Sequence, residues 1–126
     1  MKAEQSSIYR KVERLLIWIK PHIDRFPKGI GDQVLGQRII NDLCEALKIT
    51  SLALNTDAGE PRLKLINMVL LEFTDFKTLM NVVLVSANKQ AHIFSIKQQA
   101  QYLDLMNQIS SELAAWRNKN IKGKSD

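Results

Sequence analysis

The chain has 126 residues, 45% of them hydrophobic and 25% charged, with a formal net charge of +5 and one cysteine. That length suits a single domain with a real core, and one thiol excludes an internal disulfide. No apolar run approaches the roughly 18 uncharged residues of a membrane helix, and the opening Met-Lys-Ala-Glu-Gln-Ser-Ser carries no secretory h-region, so a cytoplasmic protein is expected.

The first predicted helix covers residues 6–26. Ile8, Val12, Leu15, Ile19, Ile23 and Phe26 keep the 3–4 spacing of one buried face, and Ser6 or Ser7 can cap it. Pro21 falls inside this pattern and is expected to kink the helix, because it removes an N–H and its ring meets the preceding turn. Phe26-Pro27-Lys28-Gly29-Ile30-Gly31 then reads as a turn, with Asp32 as the cap of a second helix over 32–54. Its stripe is Leu35, Ile39, Leu43, Leu47 and Leu54, filled in by Ala46 and Thr50. Cys44 sits on an apolar stripe of this helix and is expected as a small buried hydrophobe.

Residues 55–60 form the next loop, and Pro61 suits the first turn of a third helix, where a missing N–H costs nothing. No Gly or Pro occurs from 62 to 122, which favours long helices. The third helix is predicted over 62–88, about 40 Å long. It has two apolar stripes, one through Leu63, Ile66, Leu70, Phe73, Met80, Leu84 and Ala87, the other through Val69, Phe76, Leu79 and Val83. A surface helix with one partner needs one stripe. Two stripes imply a helix enclosed by others, or one that also carries a subunit interface. After a loop, Ser95-Ile96-Lys97-Gln98 matches the capping box of a fourth helix over 96–118, with Tyr102, Leu105, Ile109, Leu113 and Trp116 as its stripe. A basic tail, 119–126, follows. No segment of convincing length has strand periodicity. Long helices joined by short loops predict one all-α domain, an up-down-up-down antiparallel four-helix bundle.

No catalytic constellation is present, and neither enzymatic activity nor a cofactor is expected. Cys44 has only His22 and His92 as possible bases, in no recognisable pattern. Glu72 and Asp75 stand at i, i+3, but a di-metal bundle wants Glu-x-x-His on two helices, so they read as a solvated helix face and no metal is expected. Gly29-Ile30-Gly31 lacks the preceding strand and full spacing of a dinucleotide loop. Trp18 and Trp116 can serve as stacking platforms for nucleic acid. Trp116 instead continues a core stripe, while Trp18 falls at the edge of one. The basic residues Arg25, Lys28 and Arg38 cluster near one bundle end, with Lys20 one turn away, a group able to hold phosphates without reading sequence.

Phe26-Pro27-Lys28, Leu35-Gly36-Gln37-Arg38-Ile39, Ser95-Ile96-Lys97-Gln98 and Leu113-Ala114-Ala115-Trp116 occur in one order and spacing. In these motifs the chain resembles the accessory variability determinant family of diversity-generating retroelements. That family sits within a wider group of bacterial four-helix-bundle proteins, which includes those encoded by intervening sequences in large-subunit ribosomal RNA genes. The second helix lacks the Asn-Ile-Ala-Glu-Gly run usual in the ribosomal branch, which favours the retroelement branch. The resemblance implies a barrel-shaped homopentamer of four-helix bundles. It implies a non-enzymatic partner of the reverse transcriptase that binds template RNA or cDNA during mutagenic copying. Lys28 and Arg38 lie in the matching motifs and Arg117 follows the matching Trp, so these, with Lys20 and Arg25 from the charge cluster, are the expected nucleic-acid contacts. The alternative is a protein-interaction bundle, or one of the ribosomal-intervening-sequence type, with no retroelement role.

Overall fold

Ser6 opens the first helix: its hydroxyl accepts the Tyr9 N–H at 3.3 Å and its carbonyl accepts the Arg10 N–H at 3.1 Å, which satisfies donors a helix start otherwise leaves unpaired. The computed structural model describes residues 6–23, 32–87 and 94–121, with the side chains of 32–34 and 85–87 excepted. Among these residues it is all-helical, a four-helix bundle of α1 (Ser7–Ile23), α2 (Asp32–Leu54), α3 (Glu60–Ala87) and α4 (Ile96–Ile121). The Gly29-Ile30-Gly31 turn, Phe26, Arg25, Lys28 and the tail beyond 121 lie outside the described residues, as does the Asp32 side chain.

α1 buries Ile8, Val12, Leu15, Ile19 and His22, a strict 4-3-4-3 seam of the kind that packs against neighbouring helices. The helix continues through Pro21 to Ile23. Pro21 has no N–H for the Ile17 carbonyl, but both residues are on the exposed side, where water can take that carbonyl.

The turn from α2 to α3 is tied from three sides. Asn55 and Thr56 N–H groups bond back to Leu52 and Ala53 carbonyls at 3.2 and 3.1 Å. The Arg62 guanidinium, one turn into α3, donates from Nε to the carbonyls of Ala53 and Thr56 at 3.0 and 3.1 Å, and so closes the end of α2. Gly59 takes φ +94°, a conformation that favours glycine, and donates its N–H to Asn120 Oδ1 of α4 at 2.8 Å. Asn120 is buried, and its amide in turn donates to the Trp116 carbonyl at 2.9 Å. This clamp explains why α4 runs to Ile121 rather than ending near 118.

α3 starts at Glu60, with Pro61 in its first turn. It buries Ile66, Val69, Phe73, Phe76, Met80 and Val83. That 3-4-3-4-3 seam takes alternate members from both sequence stripes and merges them into one. Leu63, Leu70, Leu79 and Leu84 flank it half-buried, while Met68, Leu71 and Val82 are exposed on the outer side. α4 opens on the capping box: the Gln98 N–H donates to Ser95 Oγ at 3.1 Å, and the Ser95 N–H donates to Gln98 Oε1 at 2.9 Å.

α1 packs on α2 and α4, and α3 packs on the same two helices, so the elements close a ring around one core. Ser7 and Lys11 at the start of α1 reach Glu112 late in α4. Trp18 late in α1 meets Phe94 and Tyr102 around the start of α4. Cys44 corrects the sequence reading. It is exposed, because it stands one residue past the buried Leu43, about 100° around the helix.

Candidate nucleic-acid interface

The expected basic residues separate once the helices are placed. Lys20 is exposed on α1 and lines an open cavity of about 590 Å³ with Pro21 and Ile23, against Gln37 and Ile40 of α2. Arg38 is on the same stretch of α2 as Gln37, but its guanidinium turns to α3 and pairs with Asp75 at 3.6 Å. Arg117 is exposed near the far end of α4, where its Nε donates to Asn67 Oδ1 of α3 at 3.0 Å. Lys20 and Arg38 thus share one end of the bundle and face different grooves, and Arg117 belongs to the other end. Arg25 and Lys28 lie outside the described residues.

Glu72 and Asp75 are half-buried, so the expectation of a solvated helix face is corrected. They stand beside Asp42 of α2, which is 9% exposed and has one carboxylate oxygen with no hydrogen-bond partner. Burial, then the adjacent Asp75 and Glu72 carboxylates, push the Asp42 pKa up to about 7, with Arg38 pulling the other way. Asp42 is thus a buried carboxyl whose ionised form is disfavoured by its surroundings. Among the described residues no group of three or more His, Cys, Asp or Glu side chains is placed to hold a metal ion.

The seam between α1 and α4 is different. Trp18 packs against His22, Phe94 and Tyr102, with ring centroids 4.8, 5.0 and 6.1 Å away. Burial in this cluster raises the Tyr102 phenol well above its ordinary value. Trp18 stays half-buried and, with Arg14, Gln101, Asp104 and Gln108, lines an open cavity of about 240 Å³ between the helices. Further along, Ser7 of α1 and Glu112, Ala115, Trp116 and Lys119 of α4 line a second cavity of about 350 Å³ that also reaches Leu54 of α2. The Lys11–Glu112 ion pair crosses the seam, with the Ser7 hydroxyl donating to the same Glu112 oxygen.

The net positive charge lies on α1 and α4, whereas α3 is balanced, with Arg62, Lys64 and Lys77 against Glu60, Glu72 and Asp75. α1 carries Arg10, Lys11, Arg14 and Lys20 against Glu13 alone, and α4 carries Lys97, Arg117 and Lys119 against Asp104 and Glu112. α2 is acidic on balance, with Asp32, Asp42 and Glu45 against Arg38 and Lys48. Sequence reading singled out the two indoles but not their common seam, since residues 98 positions apart give no local signal of adjacency. No described helix is long and apolar enough to cross a membrane. No family model, curated protein or solved structure matches the chain.

Proposed function

We propose that the chain is a non-enzymatic, cytoplasmic accessory subunit that binds RNA or cDNA electrostatically and a reverse transcriptase through a separate surface. The setting is the retroelement role implied by its resemblance to the accessory variability determinant family. The observation that carries the reading is the concentration of cations on α1 and α4, away from the carboxyl cluster of α2 and α3. Cations in excess on two adjacent helices can hold phosphates without reading bases.

The finer architecture belongs to the same proposal. Contacts of the start of α1 with the end of α4, and of Asn67 with Arg117, support an up-down-up-down antiparallel arrangement. The outer side of α3 supports self-assembly into a homopentamer: Met68, Leu71 and Val82 are exposed there. Between them, the Thr74 and Thr78 hydroxyls are turned back onto the Leu70 and Thr74 carbonyls. The same face favours the alternative, a bundle that binds only proteins.

Lys20→Glu with Lys28→Glu tests the reading and avoids Arg38, whose pairing with Asp75 would confound the result. In a gel-shift titration with structured RNA, the wild type is expected to bind with affinity that falls steeply with salt, and the variant to bind more weakly at unchanged helicity. Salt-insensitive binding of a protein partner, with no RNA or DNA shift, would give the protein-only alternative.

A further inference from the structure

We infer that the α1–α4 groove is a binding site for unpaired nucleic-acid bases, with Trp18 and Trp116 as its two stacking surfaces and Arg14 and Lys119 as its phosphate contacts. This rests on the nucleic-acid reading above and assigns the contact to residues outside the basic set expected from the sequence.

The chain has two tryptophans. Each is half-buried, and each lines one of the two cavities along the same seam. Both indoles also pack against the hydrophobic core, Trp18 on His22, Phe94 and Tyr102, so each offers the groove only its open side. Each cavity also holds a cation, Arg14 beside Trp18 and Lys119 beside Trp116. Neither cation is in an ion pair among the described residues, although each cavity also has a carboxylate on its wall: Glu112, which pairs with Lys11 and accepts from Ser7, and Asp104, which accepts from the Gln108 amide at 2.8 Å. The cavities are centred about eleven residues apart on α4, roughly 16 Å along the axis, a distance that a few extended nucleotides span. Aromatic platforms interleaved with cations suit single strands, since every base has a stacking face and the backbone supplies the negative charge. Gln101 and Gln108 add amide groups that can donate and accept at base edges.

The chemistry favours a single strand over an acidic peptide, because flat indoles gain more from stacked bases than from carboxylates. Since both indoles are in the groove, intrinsic tryptophan emission reads it directly. A short oligo-dT, and its oligo-rU counterpart to separate DNA from RNA, are expected to quench the emission saturably at low salt, with a base-paired duplex quenching far less. Arg14→Ala with Lys119→Ala is expected to weaken the oligonucleotide roughly tenfold or more at low salt and to flatten the slope of log affinity against log salt by about 1.4. Trp18→Phe and Trp116→Phe keep an aromatic core residue, and each is expected to leave only the quenching of the other indole. Oligonucleotide binding in a gel with unchanged emission, or with unchanged affinity in the double variant, would overturn the groove and leave the function reading standing. Equal quenching by the duplex would overturn stacking. Quenching by poly-glutamate but not by oligonucleotide would give the groove to an acidic peptide, and no binding of nucleic acid in any assay would remove both proposals.

Discussion

Between α2 and α3 the polar groups meet one another; between α1 and α4 they line open space. On the first seam burial, then the neighbouring Asp75 and Glu72, raise the Asp42 pKa to about 7, with Arg38 pulling the other way. On the second, Lys11 and Glu112 neutralise each other while Arg14, Lys119 and two indoles remain around cavities. The difference teaches where function is to be sought. A seam whose charged groups face one another is spent on structure. A seam with accessible cations and half-buried aromatic faces retains binding capacity.

The largest expected effect is on the packed side. Phe76 is fully buried and ring-packed on Phe73, with centroids 6.0 Å apart. Phe76→Ala should cost about 3–5 kcal/mol in urea unfolding. Arg14→Ala and Lys119→Ala, on the open side, should each stay within about 0.5 kcal/mol. A large loss in either surface variant would mean that the groove is structural after all.

Asp42 comes next. Its folded pKa, about 7, lies above the ordinary 3.8, so the folded chain keeps a proton that the unfolded chain has released. The sign follows: stability falls as pH rises from about 4 to about 7, and the full cost of ionising Asp42 is present above that. Asp42→Asn should therefore stabilise the fold by about 1–3 kcal/mol at pH 8 and little at pH 4. Denaturant midpoints across that range check it; a variant destabilised equally at both pH values would contradict a raised Asp42 pKa.

A smaller loss concerns the join between the two sides. Asn120 holds the Gly59 N–H of the α2–α3 turn and the Trp116 carbonyl of α4. Asn120→Ala should cost about 1–2 kcal/mol and speed amide exchange in the last turn of α4. Unchanged exchange there would mean that the clamp does not hold the helix end.

Much of the fold was legible because its signals are local. The Ser95–Gln98 capping box, the Ser6 cap and the seam of α1 as far as Ile19 are set by neighbours three or four residues apart, which sequence shows directly, whereas His22 rather than the expected Ile23 takes the last buried place. The two stripes of α3 were visible, but not that packing selects alternate members of both to make one seam. Cys44 was misjudged because a stripe seen in sequence is wider than the seam that finally packs. The site was less legible for a different reason. Asp42 against Asp75, Asn120 against Gly59, and Trp18 in line with Trp116 are relations between helices, fixed by their rotation and pairing order.

The most direct test of the central claim is the light-scattering mass of the purified chain, alone and with a structured RNA, at low and high salt. The account predicts about five times the chain mass without RNA, and an RNA complex that forms at low salt and dissociates at high salt. A monomer that ignores RNA at both salt concentrations would contradict it.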